Sequence, residues 1–195
     1  MALYQNSTVD SDALVIGNWK VQVATYDSAY TTIASVGSAV TNLGAGMITG
    51  FAHNIEKIDV QAGNAPDPLE GIASETFTIT GDMIEFTMAN MVTAFGGIVT
   101  TTTAVTTTKS YLSGGGASVM TPKTFLLTNR RIVGGASVET NLVVWKGYAT
   151  NGPQFTTKSD NDADPITSWS FEIEGVIDAT RTAGNQLYMI EKWID

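Results

Sequence analysis

Between Ser168 and Glu174 every second residue is apolar: Trp169, Phe171 and Ile173 alternate with Ser168, Ser170, Glu172 and Glu174. Successive side chains of a strand point to opposite faces, so this period of two marks a strand with one face on a core and one in water. Over 167–178 it predicts Trp169, Phe171, Ile173 and Ile177 inward, with Ser168, Ser170, Glu172, Glu174 and Asp178 outward. The same period recurs in LVIGNWKVQVATY at 14–26, where Trp19, Val21 and Val23 oppose Asn18, Lys20 and Gln22. It returns at Ser74–Phe86, where Phe77 and Ile79 oppose Thr76, Thr78 and Thr80. A chain that repeats this pattern is directed toward antiparallel sheet. It is also rich in Thr, Val, Ile and Gly and only 15% charged, unlike a helical chain built from Glu, Lys, Leu and Ala.

Further strands are expected at Ile48–Val60, 124–129, 139–149 (around Val143, Val144 and Trp145) and 185–193. Ile48–Val60 and Ser74–Phe86 flank the turn-rich AGNAPDPLEG and read as one hairpin with a long loop. The tract TTTTAVTTT within 98–112 favours a strand through its β-branched side chains. One segment reads as helix, over about 87–96. In Thr87–Phe95 the residues Met88, Met91, Val92 and Phe95 share a face, and Gly96-Gly97 ends it. That stripe is expected to pack over a sheet. GGASVMT at 115–121 and GGASVET at 134–140 are read as two glycine turns feeding strands, too short a repeat for a solenoid.

The 195 residues suit a single domain, 13–195, preceded by a polar arm, 1–12. A chain of this length can bury a sizeable core, so no disulfide or metal staple is required, and the lack of cysteine excludes thiolate sites and thiol nucleophiles. The first dozen residues carry no basic n-region, and no apolar run approaches the roughly 18 residues of a spanning helix, so a soluble protein with no membrane partner is expected. The 19 acidic against 10 basic side chains, net −9, oppose a role in gripping nucleic acid phosphates.

Motifs for chemistry are weak. Asp160-Asn161-Asp162-Ala163-Asp164 begins like a calcium loop, but Pro165 stands where the turn glycine belongs and Phe171 where the bidentate Glu belongs, so a solvated acidic loop is expected. Gly114-Gly115-Gly116 lacks the Lys-Ser/Thr of a phosphate-binding loop. The single histidine, His53, has no Gly-x-Ser-x-Gly elbow to serve and is expected on an ordinary strand face. Glu172 and Glu174, two apart on a strand and so roughly 6.5–7 Å from each other, have a spacing that glycoside hydrolysis tolerates but that is too common to signify. Neither a catalytic residue nor a cofactor or metal site is assigned.

Three stretches together spanning most of the chain, NWKVQVATYDSAYTTIASVG, ETFTITGDMIEFTMANMVTAFGG and ITSWSFEIEGVIDATRTAGNQLYMIEKWID, give an order of elements that resembles the major tail tube proteins of long-tailed (siphovirus-like) bacteriophages. The tandem glycine turns are not something that family demands. The resemblance implies a mainly β, sandwich or barrel-like tail tube fold with one short flanking helix and a long β-hairpin loop. It implies a structural virion protein, not an enzyme, assembled in the host bacterial cytoplasm into hexameric rings that stack helically as a hollow tube. DNA and a tape measure protein would occupy the lumen transiently, and tail terminator and distal tail proteins would be further partners. Sheet edges would be completed by neighbouring copies. The loop 59–73, and within it Asn64, Ala65, Pro66, Asp67, Pro68, Leu69 and Glu70, would reach the adjacent ring. Thr76, Thr78, Thr80, Ser170, Glu172 and Glu174 would face the lumen. Two alternatives stay open: another virion component, such as a tail terminator or head decoration protein, or a small β-sandwich hydrolase or carbohydrate-binding module. Imaging of the purified protein separates the first from the tube. A monomer whose activity is lost on changing His53 or Glu172 would favour the second.

Overall fold

Why these strands close on themselves follows from where the bulky and the missing side chains fall. The computed structural model describes residues 18–60, 69–83, 88–95, 99–103, 110–114, 120–133, 135–151, 154–156 and 168–194. In chain order these contain β1 (Trp19–Thr25), α1 (Ile33–Gly37), β2 (Thr41–Val60), β3 (Leu69–Met83), α2 (Met88–Ala94), β4 (Val99–Thr103) and β5 (Ser110–Gly114). They continue with β6 (Lys123–Val133), β7 (Ala136–Ala149), β8 (Gln154–Thr156), β9 (Ser168–Val176) and β10 (Tyr188–Ile194). The fold is mainly β. The large sheet runs β10-β7-β6-β1-β2-β3-β9-β8, and an additional pairing joins β7 to β9. Strands β7, β6, β1, β2, β3 and β9 therefore form a closed antiparallel barrel.

Closure depends on a division of labour along β7. Its Val138–Val144 stretch pairs with β10, whereas Gly147–Ala149 pairs with β9. The seam opens on two glycines, Gly147 opposite Gly175. A Cβ on Gly175 would lie 2.8 Å from Val144 Cγ1, and one on Gly147 would lie 3.2 Å from Phe125 Cδ2. The seam thus meets where side chains already fill the interior.

That interior holds Trp19, Val21, Val23, Phe77, Ile79, Phe125, Leu127, Leu142, Val144, Trp169, Phe171 and Ile173. Each follows the period-two pattern of its strand, as expected for β1, β3 and β9. At one mouth α2 acts as a plug: Met91, Ala94 and Phe95 are buried, Phe95 lies 5.7 Å from the Trp169 ring, and Asn90 Nδ2 donates to the Leu43 carbonyl at 2.9 Å. The opposite mouth carries an aromatic chain in which Phe51 lies between Trp19 (5.8 Å) and Phe77 (6.4 Å), and Phe77 stacks on Tyr188 at 4.0 Å. Beyond this mouth β2 and β3 leave the barrel as a two-stranded arm, paired from Ile55↔Glu75 to Val60↔Leu69.

Several details depart from the sequence reading. A second short helix, α1, covers Leu126, Val143 and Trp145 on the outside of the barrel with its Ile33 and Val36. Five residues show no helical period. Their one local signal is a capping box, in which Ser35 N–H donates to Thr32 Oγ1 and Thr32 N–H to Ser35 Oγ, both at 3.2 Å. Strand β2 begins at Thr41 rather than Ile48. Its first residues lack alternation because Gly44 and Gly46 lie opposite Val21 and Trp19, and a Cβ on Gly46 would come within 2.7 Å of Met83 Sδ. The first threonines of the tract lie in β4, which pairs with β5 as a separate two-stranded sheet, and 104–109 lies outside the described residues. Gly135, at φ +93°, turns β6 into β7 as the glycine pattern suggested; 115–119 lies outside the described residues.

The burial expected from alternation holds along β9 from Ser168 to Val176 and then inverts. Ile177 is exposed and Asp178 is 1% exposed. The strand ends at Val176, and Asp178 is buried on the outer side of the barrel, beside the Arg181 guanidinium that lies on Trp145.

Candidate functional site

The outward face of β3 and β9 gathers the polar residues that alternation placed there. Thr78 pairs with Glu174, Thr80 with Glu172, and Asp82 with Ser170, while Thr76 faces Val176. All six residues singled out from the sequence, Thr76, Thr78, Thr80, Ser170, Glu172 and Glu174, are partly exposed and share this one face. The strand register brings together positions about ninety residues apart. On β3 and β9 the face bears carboxylates and hydroxyls and neither Lys nor Arg. It continues onto β2 through Asn54 and Glu56, opposite Thr76 and Ser74.

Hydrogen bonds fix these groups. Ser170 Oγ donates to Asp82 Oδ1 at 2.6 Å; Thr150 Oγ1 and Asn151 Nδ2 donate to the two oxygens of Glu172 at 3.0 and 2.9 Å; Ser74 Oγ donates to Glu56 Oε2 at 2.8 Å. These hydrogen bonds orient Asp82, Glu172 and Glu56, and the acidic side chains make the face a source of negative potential. Asp82 and Glu56 were missed in the sequence although both obey the alternation of their strands. Thr150 and Asn151 could not have been found, since only the fold carries them to Glu172.

Of the loop residues, Asn64, Ala65, Pro66, Asp67 and Pro68 lie outside the described residues. The ends of the 59–73 segment are paired strand and not open loop: Asp59 is opposite Glu70 and Val60 opposite Leu69. The acidic stretch Asp160–Asp164 and the arm 1–12 also lie outside. His53 sits on β2 opposite Phe77, with Nε2 3.9 Å from Glu75 Oε2 and its ring edge-on to Tyr188 at 5.6 Å. Among the described residues there is no cluster of three or more His, Asp or Glu suited to a metal, and no helix long and apolar enough to cross a membrane.

A buried ion pair anchors the connection from β9 to β10. Asp178 Oδ2 accepts from Arg181 Nε at 3.0 Å, and Oδ1 accepts from the Thr180 hydroxyl at 2.6 Å and its N–H at 3.2 Å. The Arg181 guanidinium lies 3.8 Å from the Trp145 ring centre, and Trp145 Nε1 donates to Asn185 Oδ1 at 3.0 Å. Burial pushes the Asp178 carboxyl up, but hydrogen bonds from Thr180 and Tyr26 and the Arg181 charge together hold it below its ordinary value. Burial likewise raises the Tyr26 hydroxyl above the usual phenol range. This network positions β10 against β7.

Neither a family model nor a curated protein matches the chain. What can be said of its work therefore comes from these surfaces.

Proposed function

We propose that this chain is the repeating subunit of a bacteriophage tail tube. Six copies form a ring, rings stack helically, and the β3/β9 face lines the bore through which viral DNA leaves. In this reading a tape measure protein occupies the bore before DNA does, tail terminator and distal tail proteins cap the ends, and the assembly forms in the host bacterial cytoplasm and remains in the virion. The observation that carries the reading is the continuous hydroxyl and carboxylate face, with no cation on either of its two strands. Such a wall repels phosphates, so a polyanion slides past it without binding. The two-stranded arm beyond the barrel mouth supports the reading as well, since it offers a reach toward an adjacent ring. The barrel itself closes within one chain, so neighbours are not needed to complete it; ring contacts would use its flanking edges.

Electron microscopy of the purified protein tests this. Stacked rings with a central channel are expected. A trimer, an unstacked closed ring or a monomer at high concentration overturns the reading.

A further inference from the structure

Strand β10 stands outside the ring that closes the barrel. That ring is completed where Gly147–Ala149 of β7 pairs with β9, so β10 adds a ladder along Val138–Val144 without being needed for closure. Its side chains bury little: none of Tyr188–Trp193 is buried, and Ile190 and Trp193 are 60% and 55% exposed. The ring strands each bury side chains, as β9 does with Trp169, Phe171 and Ile173. Only the base of β10 is held firmly. Leu187 is buried, Tyr188 stacks on Phe77, and the Trp145 N–H donates to the Leu187 carbonyl at 3.2 Å. Beside them the Asp178 N–H donates to the Gln186 carbonyl at 3.0 Å, next to the buried Asp178–Arg181 pair. Alternation makes the rest of this strand a wall of two pockets. Ile190 faces the barrel mouth, where with Trp19, Ile48, Phe51, Thr140 and Leu142 it lines a pocket of about 220 Å³. Met189, Glu191 and Trp193 face the other side, where with Ile33, Ala34 and Glu139 they line a groove of about 470 Å³ beside α1.

We propose that β10 is a hinged strap: from Met189 to Ile194 it lifts off β7 as a unit, pivoting at Leu187 and Tyr188, while the barrel stays closed. Segments that bury few apolar side chains open at low free energy, and the lids of binding clefts are drawn from them. The pivot lies where opening becomes costly. Lifting past Leu187 would strip a buried leucine and the Phe77 stack and would uncover the Asp178–Arg181 pair, a far larger loss than parting the half-exposed strand. Up to that point one movement takes Ile190 from the mouth and Met189, Glu191 and Trp193 from the groove beside α1. The two pockets, on opposite faces of the sheet, therefore open and close together. The strap does not depend on the tube reading, since it needs no second copy.

The test is native-state hydrogen exchange on the full chain, resolved by residue with NMR under conditions where the rate follows the opening equilibrium. The protected amides of 190–193, and those of 138–143 that pair with them, are expected to exchange together, about 100-fold faster or more than the β3–β9 ladder. The amides of Trp145 and Asp178, bonded at the pivot, are expected to stay with the slow set. The chain has no cysteine, so Glu139→Cys with Trp193→Cys, on directly opposed positions, places a single disulfide near the free end of the strap. Oxidised, this variant is expected to lose the fast exchange; reduced, it is expected to match the wild type. Thr140→Cys with Lys192→Cys, the neighbouring opposed pair, replaces it if the reduced form shows a lowered thermal midpoint. Strap amides that exchange at the rate of the β3–β9 ladder overturn the proposal, as does fast exchange that the closed disulfide leaves unchanged. Fast exchange shared by Trp145 and Asp178 overturns the pivot.

Discussion

Replacing Gly175 by Val should force open the seam of the barrel. Gly175 faces inward opposite Gly147, where β9 meets β7, and even an alanine Cβ there would stand 2.8 Å from Val144 Cγ1 and 3.3 Å from the Phe77 carbonyl. Ordinary carbon contacts lie near 3.5–4.0 Å, so the first atom alone is at least about 0.7 Å too close. Val144 has no exposed surface and, being β-branched, cannot rotate away cheaply. Alanine should therefore cost about 1–3 kcal/mol from overpacking, offset by about 0.5–1 kcal/mol because glycine loses more chain entropy on folding. Valine adds two further carbons to the same space and should cost about 3 kcal/mol or more. For a chain of this size that lowers the thermal midpoint by roughly 6–12 °C. Urea unfolding followed by tryptophan fluorescence, with a thermal scan, measures both quantities. Gly37→Ala is the control, since a Cβ there meets nothing within 4 Å; it should be neutral or slightly stabilising. Shortening the obstacle should relieve the clash, so Gly175→Val with Val144→Ala should be more stable than the two single changes sum to. Gly175→Val within about 0.5 kcal/mol of the wild type, or an absence of relief in the double variant, would refute the account of the seam.

Asp178→Asn should destabilise by about 3–5 kcal/mol, because it leaves the buried Arg181 guanidinium without a counter-charge; equilibrium urea unfolding measures it. The Asp178 carboxyl titrates lower when folded, so its stabilisation is complete above the unfolded value of about 3.9 and is lost as pH falls through the folded value. Unfolding midpoints at about pH 5 and about pH 2.5 should therefore differ less in the variant than in the wild type. Phe95→Ala should cost about 3–5 kcal/mol by emptying the α2 plug, and a loss under about 1 kcal/mol would show that the helix does not seal the barrel. Thr78→Lys with Glu174→Lys, on paired positions of the polar face, should leave the fold intact and give assembled protein a salt-dependent affinity for DNA in a filter-binding assay. Unchanged DNA binding would remove this face from the bore.

Period-two alternation by itself determined the inner and outer faces of β1, β3 and β9, and with them Trp169, Phe171, Phe77 and the hydroxyl and carboxylate face. A side chain's direction in a strand follows from backbone geometry alone, whichever strand lies beside it. The α2 face was legible for the same kind of reason. Register, closure and coverage were decided only in three dimensions. Gly147 and Gly175 have no pattern to announce them, because what they must avoid, Val144 and Phe125, belongs to other parts of the chain. Asp178 looked like an exposed strand residue, and only the fold brings Arg181, Thr180 and Tyr26 to its carboxyl. Where β7 passes from β10 to β9 is likewise a fact about neighbours, which a local sequence does not encode.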